Sequence, residues 1–400
     1  MKYALCHLVF IVLLFGIYRT ATNQRFYPDN YRLNYAYDVG HYNSIKTNGY
    51  SFNPEKQSNV AFFPGFPYFW RFLGVSARGI TIVNIVIFYI GIFLWMHFFH
   101  PARNEVLLYL SLPSMMFIYL PYSEPLFFIT CMIFLIGFQK NNTSLILTGL
   151  VLSSMTRSAG NIFIPALILL ELISANRSWK KLILYIGVSL LSIGLVSFIQ
   201  FYQTGTWFGF MQTQKHWDHH LSFPELPFRT WGNVLLLDAG ALVAAFSICC
   251  ITIYHIYNYF KYKITINNKA YLFSLLAISG LTAITLLFKV GSLFSLNRYF
   301  IPTAFFAVAG GILYGKLKLK PKEIGFAALG IFLFLALFHF FRHISFILEF
   351  ALLTAYLSLY LFVKHPNLRI SRIAFWSVYL INCGLQVYLL DYFLHKQWVG

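Results

Sequence analysis

The sequence predicts an all-α polytopic membrane protein, and three observations predict it. Of its 400 residues, 58% are hydrophobic and only 10% are charged, where a soluble domain carries about 25% charged residues. Apolar runs near the length of a bilayer span recur along the whole chain, separated by short polar breaks. The basic residues behind the formal net charge of +18 sit in short clusters between those runs, not in one stripe or groove. That distribution excludes a nucleic-acid partner and makes the lipid bilayer the surroundings of a single membrane domain, residues 1–400.

A helix closes its backbone hydrogen bonds within itself, so each apolar run reads as a helix. About thirteen runs qualify, at roughly 3–18, 79–99, 105–120, 125–138, 143–156, 160–175, 182–203, 233–257, 270–290, 299–315, 323–341, 344–363 and 373–394. The first reads as a retained span, because its apolar stretch follows Cys6 where a lipoprotein signal would precede it. The runs between 105 and 175 are short, and tilted, broken or re-entrant forms are expected there. Cys6, Cys131, Cys249, Cys250 and Cys383 all fall within apolar runs, without disulfide or metal-ligand spacing, and read as packing residues.

Counting from a cytoplasmic N-terminus gives the inside connections Arg103, Lys140, Arg177 with Lys180 and Lys181, and Lys261 with Lys263 and Lys269. Further along, Lys316, Lys318, Lys320 and Lys322, and then Lys364, Arg369 and Arg372, are also inside. The short outside connections hold chiefly Arg157, Arg298 and Arg342, so the positive-inside rule supports this register. The glycosylation patterns starting at Asn141 and Asn176 fall inside, where they are silent. Two longer segments, 19–78 and 204–232, fall outside. Both are rich in Trp, Tyr, Phe and His, residues that favour the membrane–water boundary. The compact loops favour a prokaryotic cytoplasmic membrane with the functional face outside, or the endoplasmic reticulum membrane in a eukaryote.

The chain has twelve acids, and the outside segments hold Asp29, Asp38, Glu55, Glu124, Asp218 and Glu225. Asp38 is the strongest candidate for a general base. It stands among Tyr35, Tyr37, His41 and Tyr42, and partial burial beside aromatic rings suits a carboxylate to proton abstraction. The structural alternative is a carboxylate capping the helix-compatible run that ends at Gly49.

The residues around Asp38 also carry a family resemblance. Tyr37-Asp38-x-Gly40-His41-Tyr42, with Gly49-Tyr50 and then Asn59-x-Ala61-Phe62-Phe63-Pro64-Gly65-Phe66-Pro67, resembles the PIG-V-like mannosyltransferases of the GT-C membrane glycosyltransferase superfamily. Tyr122-Ser123-Glu124-Pro125 and Thr156-Arg157-Ser158-Ala159-Gly160 follow in the family's order, so the clear resemblance covers about residues 35–165. Looser similarity continues at Gln214 to Pro224 and at Arg298-Tyr299. Family members commonly have Trp before the acid, and Tyr37 keeps an aromatic wall there. The resemblance implies a GT-C-like bundle with a long first non-cytoplasmic loop. It further implies transfer of mannose, or a similar sugar, from a polyprenyl-phosphate donor to a glycan or glycolipid acceptor, with Asp38 as base.

A phosphate leaving group needs cations and hydrogen-bond donors more than it needs a general acid. The candidates for that clamp are Arg157, Arg298, His41, Lys215 and His216, with Tyr42 in the aromatic surroundings and Glu124 as a positioning acid. Each has a simpler reading: Arg157 pairs with Glu124 for structure alone, or Arg298 snorkels to lipid headgroups. Lys215-His216-Trp217-Asp218-His219-His220 has metal-ligand residue types, but nearly contiguous ligands converge poorly on one ion, so no metal and no cofactor is expected. Asn84, Gln200, Asp238 and Asn382 read as interhelical hydrogen bonders. A lipid-linked glycan transporter is the competing function. It calls for ionisable residues deep in the bilayer and for internal repeats, and this chain has few of the former and no repeat.

Overall fold

The computed structural model describes residues 1–400 except 26–29, 218, 231–233, 290, 336–343, 396 and 400, and except the side chains of 31, 32 and 344–346. Asp29, Asp218 and Arg342 lie outside the described residues. The chain runs through α1 (Lys2–Ala21), α2 (Asn30–Asn34), α3 (Asp38–Asn48), α4 (Gly65–Leu73), α5 (Ala77–Phe99), α6 (Arg103–Ser111), α7 (Glu124–Gln139), α8 (Thr143–Thr156) and α9 (Phe163–Ile173). It continues through α10 (Trp179–Thr204), α11 (Gly209–Gln212), α12 (Leu235–Tyr262), α13 (Lys269–Phe288), α14 (Leu296–Phe300), α15 (Ala304–Lys316), α16 (Pro321–Leu335), α17 (Ile344–Phe362) and α18 (Leu368–Leu394). This is a helical membrane protein.

The apolar runs are helical, but they are not thirteen equal spans. Among the described residues α1, α5, α10, α12, α13 and α18 are long and apolar enough to cross a bilayer, and other runs form shorter apolar helices. The run at 105–120 breaks after α6, because Pro113 holds Leu112 extended at φ −52° and ψ 135° and the chain continues as a 3-10 turn, Pro113–Tyr119. That turn and α7 form one broken apolar unit bent by 102°.

The break is what positions the site. Asn84, fully buried on α5, donates from Nδ2 to the carbonyls of Leu120 and Tyr122, each at 2.9 Å. Backbone groups freed at membrane depth need such partners, and this clamp fixes the backbone two residues before Glu124. Behind it α7 is buried on nearly every side and packs on α8 so closely that a Cβ on Gly149 would lie 2.6 Å from the Phe134 Cα.

Both long polar segments gather at one end of the bundle. In the first, α3 and α4 are joined by a loop that is pinned to α10: Tyr50 N–H donates to Gln203 Oε1 at 2.6 Å, and Gln200 Nε2 donates to the Val60 carbonyl at 2.8 Å. The second segment meets the first where His216 Nε2 lies 2.9 Å from the Pro54 carbonyl oxygen. At the same end, Arg19 on α1 forms a buried ion pair with Asp391 on α18.

Candidate functional site

Asp38 opens α3, and the residue before it, Tyr37, has the uncommon φ of +49°. That turn directs the chain into the helix with no side-chain cap, so Asp38 is not held as a capping carboxylate. Its Oδ2 instead lies 2.7 Å from Nη2 of Arg298.

Arg298 sits on α14, and buried polar groups hold that short helix in place. Asp238 Oδ1 on α12 accepts from both the backbone N–H and the side-chain Nδ2 of Asn297, at 3.0 and 2.8 Å. Ser114 Oγ donates to Asn297 Oδ1 at 3.0 Å, and Thr230 Oγ1 donates to Asp238 Oδ2 at 2.7 Å. Asp238 and Asn84 are thus the interhelical hydrogen bonders that their span positions suggest. Here that bonding fixes the two segments from which Arg298 and Glu124 project.

Glu124, at the start of α7, shares one oxygen between two cations. Its Oε1 is 2.9 Å from Arg157 Nη1 and 3.0 Å from Arg298 Nε, and its side chain is 1% exposed. Arg157 leaves the end of α8 in an extended conformation, φ −146°, with its guanidinium between the rings of Phe127 and Tyr299 at 5.6 and 5.8 Å. The run of Phe62 to Pro67 reaches this point because Gly65 has no side chain: a Cβ there would lie 2.8 Å from the Met155 carbonyl oxygen.

These residues border a cavity of about 190 Å³, lined among others by Asp38, Tyr42, Arg157, Arg298, Tyr299 and Lys289. Lys289 donates to the Phe294 carbonyl at 2.6 Å and lies 3.2 Å from the Tyr299 hydroxyl. Around the cavity three cations, Arg157, Arg298 and Lys289, meet two carboxylates, Asp38 and Glu124, so one positive charge is in excess. Burial works against the Arg298 charge, but Asp38 and Glu124 outweigh it and push its pKa above the usual arginine value. The Tyr42 hydroxyl, 3.1 Å from Ser123 Oγ, is pushed up in pKa by burial and then by Glu124 and Asp38, and stays protonated.

Asp38, Tyr42, Glu124, Arg157 and Arg298 are therefore brought together, with Glu124 just behind the cavity wall. The other candidates are placed differently. His41 stacks on Phe62 at 4.7 Å, outside the lining, and burial lowers its pKa while Asp38 partly offsets the effect. Lys215 is exposed, and His216 is engaged by the first polar segment; the second segment contributes Gln214, Trp217 and His219 to the lining instead. Among the described residues, no group of three or more His, Cys, Asp or Glu gathers as a metal would require. Sequence reasoning missed Lys289 and Trp398. Lys289 closes an apolar run, and the only signal for Trp398 is an aromatic residue just beyond the last span.

No family model, curated protein or solved structure matches the chain. The functional reading therefore rests on the residues of the site.

Proposed function

We propose that this chain is an inverting GT-C-type glycosyltransferase. It moves mannose, or a similar sugar, from a polyprenyl-phosphate donor to a glycan or glycolipid acceptor on the non-cytoplasmic face. In this reading the bundle is GT-C-like, with the shorter apolar helices completing about thirteen membrane passes.

The observation that carries the reading is the ion-pair chain Asp38–Arg298–Glu124–Arg157 beside Lys289, bordering one cavity. A net positive, largely buried cavity suits a phosphodiester, which brings a single negative charge. Arg298 Nη1 is buried and makes no hydrogen bond among the described residues, so the cluster has a strong donor to spare for a phosphate oxygen. Asp38, with 20% of its side chain exposed, is the carboxylate open to an arriving hydroxyl. It takes the acceptor's proton as the hydroxyl oxygen bonds to the anomeric carbon. The bond from that carbon to the phosphate oxygen breaks on the opposite side, which inverts the centre. The polyprenyl phosphate leaves with the electron pair, and its added charge falls to Arg157, Arg298 and Lys289. Glu124 touches no reacting atom and positions both guanidinium groups.

A large apolar cavity of about 790 Å³ also supports a lipid-linked donor. It is lined by Ile301, one helical turn beyond Arg298, by Leu237 beside Asp238, and by Ser114, which bonds Asn297. A prenyl chain fits that setting, with its phosphate at the cation cluster.

The direct test is Asp38→Asn, assayed for sugar transfer from polyprenyl-phosphate mannose in reconstituted vesicles. Arg298 keeps Glu124 as a partner, so the variant is expected to fold while transfer is abolished. Near-normal turnover would remove Asp38 as the base. Movement of the lipid-linked sugar across the bilayer, without a new glycosidic bond, would replace transfer with transport.

A further inference from the structure

Trp398 follows α18 and, among the described residues, is the one part of the C-terminal segment that borders the ion-pair cavity. The tail that carries it is held in place. Asp391 on α18 is paired with Arg19, the backbone N–H of His395 donates to the Asp391 carbonyl at 3.1 Å, and that of Gln397 donates to the Tyr392 carbonyl at 3.3 Å. The indole then packs face to face with Phe294 at 5.6 Å and tilted against Tyr37 at 4.7 Å. Its ring lies 5.6 Å from the Arg298 guanidinium carbon. Tyr37, Phe294 and Arg298 flank or contain the groups on which the proposed chemistry depends, so the indole completes the wall between Asp38 and α14.

One feature of this packing is unfinished. Trp398 is 7% exposed, yet its Nε1–H is buried and has no hydrogen-bond partner among the described residues. Buried indole N–H groups usually find an acceptor, because leaving one unmet costs the full desolvation of the donor. Elsewhere in the protein the indole of Trp70 follows that rule and donates to the Val75 carbonyl at 2.9 Å. In Trp398 the unmet donor belongs to a residue that lines the cavity.

We propose that Trp398 is a substrate-binding residue whose indole N–H donates to an oxygen of the bound glycosyl phosphate. The assignment rests on the glycosyltransferase reading of the cavity. Two oxygens fit the donor, a phosphate oxygen and a sugar hydroxyl, and two probes separate them: a short polyprenyl phosphate, and the same lipid bearing mannose. Each is titrated against the full-length protein in detergent micelles, so that binding is read without turnover.

Trp398→Phe keeps the ring contacts with Phe294, Tyr37 and Arg298 but removes the N–H. Replacement of Trp398 by benzothienylalanine keeps the whole bicyclic shape and removes the same group, so the test survives if the Phe variant folds poorly. Both variants are expected to bind about tenfold more weakly, equivalent to about 1.4 kcal/mol. Weakening toward both lipids assigns the N–H to the phosphate; weakening toward the mannosylated lipid alone assigns it to a sugar hydroxyl. Wild-type affinity of both variants for both lipids overturns the role of Trp398 and leaves the reading of the cavity standing. Failure of the wild-type protein to bind either lipid removes that reading, and the assignment with it.

Discussion

Replacing Glu124 by Gln removes one charge and almost no volume, so it isolates the electrostatic role of the shared carboxylate. Its Oε1 lies 2.9 Å from Arg157 and 3.0 Å from Arg298, at 1% side-chain exposure. Arg298 keeps Asp38 at 2.7 Å, whereas Glu124 is the one carboxylate paired with Arg157 among the described residues. The variant therefore strands the Arg157 guanidinium, 12% exposed, in a largely apolar wall. Breaking one side of a buried pair costs about 3–5 kcal/mol, most of it the uncompensated charge left behind. We expect Glu124→Gln to lose about 3 kcal/mol of folding free energy by SDS-titration unfolding in mixed micelles. Because the cost lies in the orphaned cation, adding Arg157→Met is expected to restore about 2 kcal/mol of that loss, a coupling that a double-mutant cycle reads directly. If Glu124→Gln stays within about 0.5 kcal/mol of wild type, as a surface substitution would, the ion-pair chain does not carry the site.

Three further outcomes follow from the same geometry. Gly65→Ala forces a Cβ within 2.8 Å of the Met155 carbonyl oxygen, an overpacking expected to cost about 1–3 kcal/mol in the same unfolding assay and, on the proposed glycosyltransferase reading, to lower sugar transfer by displacing Phe62 and Phe63 from the cavity lining. Tyr42→Phe removes the 3.1 Å contact with Ser123, and a loss of about 1 kcal/mol with little change in transfer is expected. His41 has a folded-state pKa below its unfolded value, so the stabilisation is present above about pH 6.5 and is lost as the pH falls below it, where the unfolded state binds the extra proton. His41→Gln should flatten that part of the pH–stability curve, and an unchanged slope would show that the imidazole is not held neutral by burial.

The extent to which the sequence discloses this site depends on how each residue is encoded. Glu124, Arg157 and Arg298 are polar groups in short interruptions of an apolar chain, where cost alone marks them for partners, and Asp38 stands among aromatic residues in the longest polar segment. Which partners they take is not local information: Asp38 and Glu124 meet on Arg298 only because Asp238, Ser114 and Asn84 fix α14 and the start of α7. Lys289 is hidden by composition, since a lysine at the end of an apolar run is what any span displays. Trp398 is hidden for another reason, because an aromatic at the membrane boundary needs no function to explain it. Lys215 and His216 show the converse error, since their chemistry fits a clamp but the turn Thr213–Trp217 leaves Lys215 exposed and His216 against Pro54. The number of spans is obscured by length itself: the run at 105–120 is apolar but short for a bilayer span, and Pro113 divides it.

The pairing of Glu124 with Arg157 also bears on how the chain enters a membrane. The two residues stand at the start of α7 and at the exit of α8, which are antiparallel neighbours made in immediate succession. Their charges can cancel as soon as that hairpin closes, long before Arg298 has been synthesised, so the pair can partition into lipid as a neutral unit. Among the described residues, Asp38 has no such early partner. Its ion pair with Arg298 closes only when α14 docks, so α10 holds the loop of the first polar segment and α14 supplies the charge that Asp38 lacks until then.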